Sequence, residues 1–185
     1  MGRARTLAVV AAVVLAVLAL DQATKVAAVR WLKDDPAPHI FLGDLFRIQY
    51  AENTGAFLSL GSTLDPAMRF WVMTGLNSAI LAALALFLLL AKPSGLLLPT
   101  ALSLILSGGV GNLIDRIFRD GRVVDFMNMG VAAGGYELRT GIFNIADVAI
   151  MAGLALVLVG EFMGMRRRQD KAAAGDGGGD SPEKQ

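Results

Sequence analysis

The apolar residues of this chain fall into four long blocks, and the polar ones crowd at particular ends of them. A helix needs ~20 mostly apolar residues to cross hydrocarbon. Four segments meet that length: residues 7–29, 68–91, 96–117 and 142–163. The first, with the core "LAVVAAVVLAVLAL", runs on into "DQATKVAAV" and carries Asp21 and Lys25 in its far end. The second ends in "ILAALALFLLLA", and the third reads "LLLPTALSLILSGGVGNLIDRI". The fourth opens as "IFNIADVAI", which places Asn144 and Asp147 in its first turns.

The connections differ in kind. "KPSG" between the second and third spans is a tight turn, punctuated by Pro and Gly. Residues 30–67 hold "IFLGDLFRIQYAENTGAFLSLG", whose short apolar-aromatic runs predict two or three short strands. Residues 118–141 form a second loop on the same side. Residues 1–165 are expected to form one membrane-embedded domain. The tail, 166–185, ends in "AAAGDGGGDSPEKQ" and is expected to be disordered and cytoplasmic.

Lys and Arg near span ends orient such a protein. Arg3, Arg5, Lys92, Arg166, Arg167 and Arg168 sit in short segments abutting the spans. Arg30, Lys33, Arg47, Arg119, Arg122 and Arg139 are spread through the two long loops. The denser set predicts cytoplasmic termini, with both long loops outside. The start "MGRARTLAVVAAVVLAVLA" also fits a cleavable secretion signal. The apolar-small pattern resumes at "VAAV", which favours a retained span.

Composition narrows the class. Of 185 residues, 55% are hydrophobic, and mean hydropathy is +0.56, above the range of soluble domains. A net charge of +1 without a basic stripe excludes a nucleic-acid binder. The chain has no Cys, which removes disulfides and thiolate chemistry, and its single His39 cannot build a metal site. Neither a metal nor an organic cofactor is expected.

The polar residues of the spans share one depth. Asp21 and Lys25 close the first, Asn112, Asp115 and Arg116 close the third, and Asn144 and Asp147 open the fourth. Asp125 follows nine residues after Arg116. Asp21 and Lys25, at i and i+4, share a helix face and can pair. Asn144 and Asp147 are i and i+3. Ionisable groups in a span are costly and face a protein interior. The small residues of "SGGVGN" let neighbouring helices approach there. No G-x-S-x-G is present, and a Ser59–Lys25 pair competes with the plainer Asp21–Lys25 pair.

Two carboxylates remain for chemistry, Asp125 in "RVVDFMNM" and Asp147 in "FNIADVAI". Two close carboxylates cannot both ionise easily, so the pair offers an acid and a base near neutral pH. With a water between them this is the aspartic-protease arrangement. Asp147 at a helix start also fits a cap. Asp115 and Arg116 suit a positioning network. A proton- or ion-coupled transporter could use the same groups, but its relay would step across the bilayer rather than gather at one face.

Five stretches, "DQATK", "NTGAFLSLG", "GGVGNLIDR", "VVDF" and "FNIAD", resemble in order and spacing those of the lipoprotein signal peptidase (signal peptidase II) family. The resemblance implies an α-helical integral membrane protein of the bacterial inner membrane, with four transmembrane helices. A small extracytoplasmic β-sheet, the cradle, would lie between helices 1 and 2 near residues 40–62. A short helical segment would fall within 126–140. It implies an aspartic endopeptidase acting on diacylglyceryl-modified prolipoproteins beside membrane lipid. It would cut N-terminal to the lipidated Cys, as a monomer. The family's catalytic aspartates fall on Asp125 and Asp147. Its other characteristic positions match Asp21, Lys25, Asn53, Gly55, Asn112, Arg116 and Asn144. One departure is visible: Phe57 stands where a small residue is usual, and Leu58 where the family has Phe.

Overall fold

The computed structural model describes residues 2–54, 65–91 and 95–176. Gly55, Phe57, Leu58, Ser59 and Lys92 lie outside the described residues. In chain order the elements are α1 (Arg3–Leu32), β1 (His39–Phe41), a 3-10 turn (Leu42–Asp44), β2 (Phe46–Asn53), α2 (Pro66–Leu90), α3 (Leu97–Phe118), β3 (Val123–Ala133), β4 (Tyr136–Arg139) and α4 (Ile145–Asp176). Among the described residues four helices are long and apolar enough to cross a membrane. The fold is thus a four-helix membrane protein carrying a small sheet.

α3 is the central helix. In its most apolar stretch 44% of residues are buried, against 11–17% for the other three. α4, α1 and α2 all pack against it. Two glycines make this approach possible. A Cβ on Gly108 would strike the Ala146 carbonyl, and one on Gly111 would lie 2.6 Å from Asp21 Oδ2. The outward rows, such as Leu15 on α1, Leu76 and Ile80 on α2, and Leu154 and Leu158 on α4, are exposed apolar surface suited to lipid.

The sheet is antiparallel, in the order β1-β2-β3-β4. The sequence placed it between the first two helices alone, but half of it comes from the loop between α3 and α4. Residues 126–140, expected to include a short helix, form instead the hairpin of β3 and β4. Its turn uses Gly134 and Gly135 at φ +60° and +84°, the left-handed pair of a tight hairpin. β3 is held by β2, with Met127 opposite Ile48 and Asp125 opposite Ala51. That long-range pairing overrides local preference.

The tail also differs. α4 continues through Asp176, so residues 166–176 are helical rather than disordered. "MRRRQDKAAA" contains no breaker and is rich in good helix formers, so the span propagates into it.

Candidate active site

The polar residues gather where the sheet meets the helix ends: the C-terminal turns of α1 and α3, the start of α4, and β3. Their centre is a buried ammonium. Lys25 Nζ lies 3.0 Å from Asp21 Oδ2, Asp115 Oδ2 and Asn112 Oδ1. These three acceptors use all three of its donors. Lys25 and Asp21 are 0% exposed and Asp115 is 1% exposed, so the pairing is what makes their burial tolerable. The remaining carboxylate oxygens are also occupied. Asp21 Oδ1 accepts from the Ala146 backbone N–H at 2.9 Å. Asp115 accepts from the Val124 N–H at 3.1 Å and from Arg119 Nε at 3.3 Å. The cluster therefore pins α1, α3, α4 and β3 to one another.

Two asparagines extend this cluster to the aspartates. The Asn112 carboxamide accepts from Lys25 and from Asn144 Nδ2, and donates to Asp147 Oδ1 at 2.8 Å. Asn144 Nδ2 donates to Asp125 Oδ1 at 2.6 Å. Asn53, at the end of β2, donates to the other oxygen of Asp125 at 3.1 Å. Asn112, Asn144 and Asp125 are all buried, whereas Asp147 is half-buried.

Asp147 is also a cap. Its Oδ2 accepts from the Asn144 N–H at 3.1 Å, while Asn144 Oδ1 accepts from the Asp147 N–H at 3.0 Å. This is the reciprocal logic of a capping box. Capping and site membership, read from the sequence as competing roles, coexist in one carboxylate: one oxygen closes the helix and the other faces Asn112. Asp125 and Asp147 lie within electrostatic reach of each other. Burial first, and the Asp147 charge next, raise the Asp125 carboxyl from its usual 3.8 to about 6. One of the two is thus suited to hold a proton near neutral pH while the other is ionised.

Asp115 and Arg116 part company. They are adjacent in a helix and so point about 100° apart. Asp115 faces Lys25, and its cationic neighbour on α3 is Arg119, at i+4. Arg116 faces the other way, close enough to Asp147 and Asp125 to feel both charges. Its Nη1 is 3.5 Å from the Asn112 carbonyl, and its Nε is buried without a hydrogen-bond partner among the described residues. Arg116 also lines a cleft of about 350 Å³ between α2, α3 and α4, whose wall includes Asn112. Asn77 of α2, absent from the sequence reading, stands in the same cleft. Its signal was available: it is a lone amide within an apolar span. Gln22 was missed too; it donates to Asp21 and to the Gly111 carbonyl.

Among the described residues no group of His, Cys, Asp and Glu could hold a metal ion. The arrangement offers a carboxyl pair, amides that orient it, a nearby guanidinium and an adjoining cleft. Such a site can activate water and stabilise a developing oxyanion.

Comparison with known proteins gives the family. The family described as signal peptidase (SPase) II matches residues 13–163. The chain is 33% identical over 141 residues to a lipoprotein signal peptidase of Borrelia turicatae, covering 75% of this chain and 81% of that one. It is 34% identical over 151 residues to a lipoprotein signal peptidase of Pelodictyon phaeoclathratiforme, covering 80% and 86%. A bacterial membrane enzyme solved by the in meso method at 1.9 Å resolution superposes with a TM-score of 0.66 at 26% identity, over 82% of this chain and 90% of the other.

Proposed function

Because the chain belongs to the signal peptidase II family, and is therefore a protease, we propose that it removes the signal peptide of bacterial prolipoproteins. The substrate Cys carries a diacylglyceryl group, and the cut falls on its N-terminal side. Asp125 and Asp147 activate the water. The observation that carries this reading is one hydrogen-bonded unit, in which Asn112 and Asn144 tie both carboxylates to a buried ion cluster.

The steps follow from the environments of the two carboxyls. Asp147, which accepts from the Asn112 amide and the Asn144 N–H, takes a proton from the water. Asp125, raised by burial, holds the shared proton and gives it to the scissile carbonyl oxygen. Hydroxide adds to that carbon, and a tetrahedral diol forms. Asp147 then returns its proton to the leaving amine as the C–N bond breaks, and Asp125 takes back the proton of one diol hydroxyl, which leaves the carboxylic acid product and restores the pair. Arg116 supplies positive potential beside the developing charge. Asp21, Lys25, Asp115, Asn53 and Gly55 position this machinery or the substrate beside it.

Topology fits that substrate. The chain is a multi-pass membrane protein. The cationic segments Arg3–Arg5 and Arg166–Arg168 support cytoplasmic termini, an orientation in which the sheet and the aspartates lie at the outer face of the inner membrane. A lipidated Cys keeps its acyl chains in hydrocarbon while its peptide bond meets the aspartates. One chain supplies every group named, so the enzyme acts as a monomer.

The experiment is cleavage of a lipidated and an unlipidated prolipoprotein by the purified protein in detergent. Release of signal peptide from the lipidated substrate alone is expected. Equal cleavage of both, or of neither, overturns the assignment.

A further inference from the structure

α2 gives nothing to the aspartate network, yet it carries an amide into the hydrocarbon. Asn77 lies within the apolar stretch Phe70–Leu90 and is half-buried. Its side chain makes no hydrogen bond among the described residues. An unpaired carboxamide in an apolar setting costs on the order of 1–3 kcal/mol. Nothing in the packing of α2 compensates for it.

The surroundings of Asn77 supply a reason. It lines the cleft with Leu76 and Ile80 of α2, Asn112 and Arg116 of α3, and Ile150 of α4. Leu81 faces Gly109 across the α2–α3 contact. The helices run antiparallel, so one turn toward the sheet brings Asn77 level with Asn112. Asn112 in turn donates to Asp147. The cleft is therefore continuous with the aspartates. α2 packs mainly against α3, which leaves the side between α2 and α4 open to lipid.

The spare hydrogen-bonding capacity of the cleft is mostly donor. Asn112 accepts twice and donates once, to Asp147, which leaves one of its two N–H donors unused among the described residues. Among the described residues Arg116 Nε is a buried donor with no partner, and Asn77 adds an NH₂ and a single carbonyl oxygen. Apolar walls with unspent donors fit a ligand of the opposite kind: apolar, with acceptors and no donors. Ester-linked acyl chains have that character. A peptide does not, because each residue brings its own N–H.

We propose that Asn77 is a specificity-determining residue, whose carboxamide donates to an ester carbonyl of the diacylglyceryl group on the substrate Cys. The inference rests on the proposed peptidase reading and adds the part of the lipid that is recognised.

The test crosses two enzymes with two substrates. Wild type and Asn77→Leu are each assayed on a prolipoprotein bearing the diacyl ester and on its dialkyl ether analogue, which lacks both carbonyls. Loss of one net hydrogen bond corresponds to about tenfold in kcat/KM. Asn77→Leu should lose about that on the ester, mainly through KM, and lose nothing on the ether. Asn77→Gln, which keeps the amide, should recover part of the ester rate. Equal losses on both substrates, or no loss on either, overturn the role of Asn77. Failure of the wild type to cut either substrate overturns the peptidase reading itself. Asn77→Ala repeats the comparison with a smaller side chain and is judged by the same outcomes.

Discussion

The two sides of α3 are built on opposite principles. Toward α1 and α4, every oxygen and nitrogen of Asp21, Lys25 and Asp115 has a partner, and the three are at most 1% exposed. Toward α2, Arg116 Nε is buried without one, and Asn77 is likewise unpaired among the described residues. A fully satisfied buried network fixes geometry. An unsatisfied one leaves donors free for a further partner. On the proposed reading, the first side holds the aspartates still and the second receives substrate.

The largest expected effect removes the chemistry and leaves the comparison intact. Asp147→Asn or Asp125→Asn should lower cleavage of a lipidated prolipoprotein by about a thousandfold or more, since the pair acts as a unit. Helical content and membrane insertion should persist. Ordinary processing by either purified variant would dismiss the pair. Next comes the saturated side. Lys25→Met leaves two buried carboxylates without their cation, at a cost of about 3–5 kcal/mol. Thermal unfolding in detergent should show it, and adding Asp21→Asn and Asp115→Asn should restore much of the loss. A Lys25→Met variant as stable as wild type would mean that the cluster does not hold the fold.

Two glycines of the same helix sharpen the contrast. Gly111→Ala places a methyl 2.6 Å from Asp21 Oδ2, on the side where every atom is already committed. Gly109→Ala meets only the end of the Leu81 side chain, on the looser side, and that side chain can turn away. The first should cost about 1–3 kcal/mol and most of the activity, the second under about 1 kcal/mol. Equal melting temperatures for the two variants would contradict the difference between the sides.

How much of this was legible follows the same physics. Four spans could be placed because length and apolarity are properties of each segment alone. The predicted 68–91 and 96–117 became Pro66–Leu90 and Leu97–Phe118. β3 was not legible, because "FMNMGVAA" earns its strand only by lying against β2. The glycine pair at 134–135 was the one local hint of its hairpin. The shared depth of the polar residues was visible from helix ends, whereas their partners were not. Asp115 and Arg119 could have been paired by i,i+4 spacing, but adjacency drew attention to Arg116. Asn77 was passed over because it carries no charge, although an amide in a span raises the same question as an ion.

The smallest effect concerns the one buried carboxyl among the described residues that forms no ion pair with them. Asp21 and Asp115 rest on Lys25, while Asp125 receives only the amides of Asn53 and Asn144. Its carboxyl is accordingly raised to about 6. A carboxyl with a higher pKa in the folded protein holds its proton more tightly there. Its contribution to stability is complete below the unfolded value near 3.8 and is lost as pH rises through about 6. Asp125→Asn cannot ionise and escapes that loss. The variant also replaces an acceptor with a donor opposite Asn53, so its absolute stability is not the useful quantity. The change between pH values is. From pH 4 to pH 8, wild type should lose on the order of 2 kcal/mol that Asp125→Asn does not. Parallel melting curves at the two pH values would show that Asp125 is ionised throughout, and would move the shared proton to Asp147.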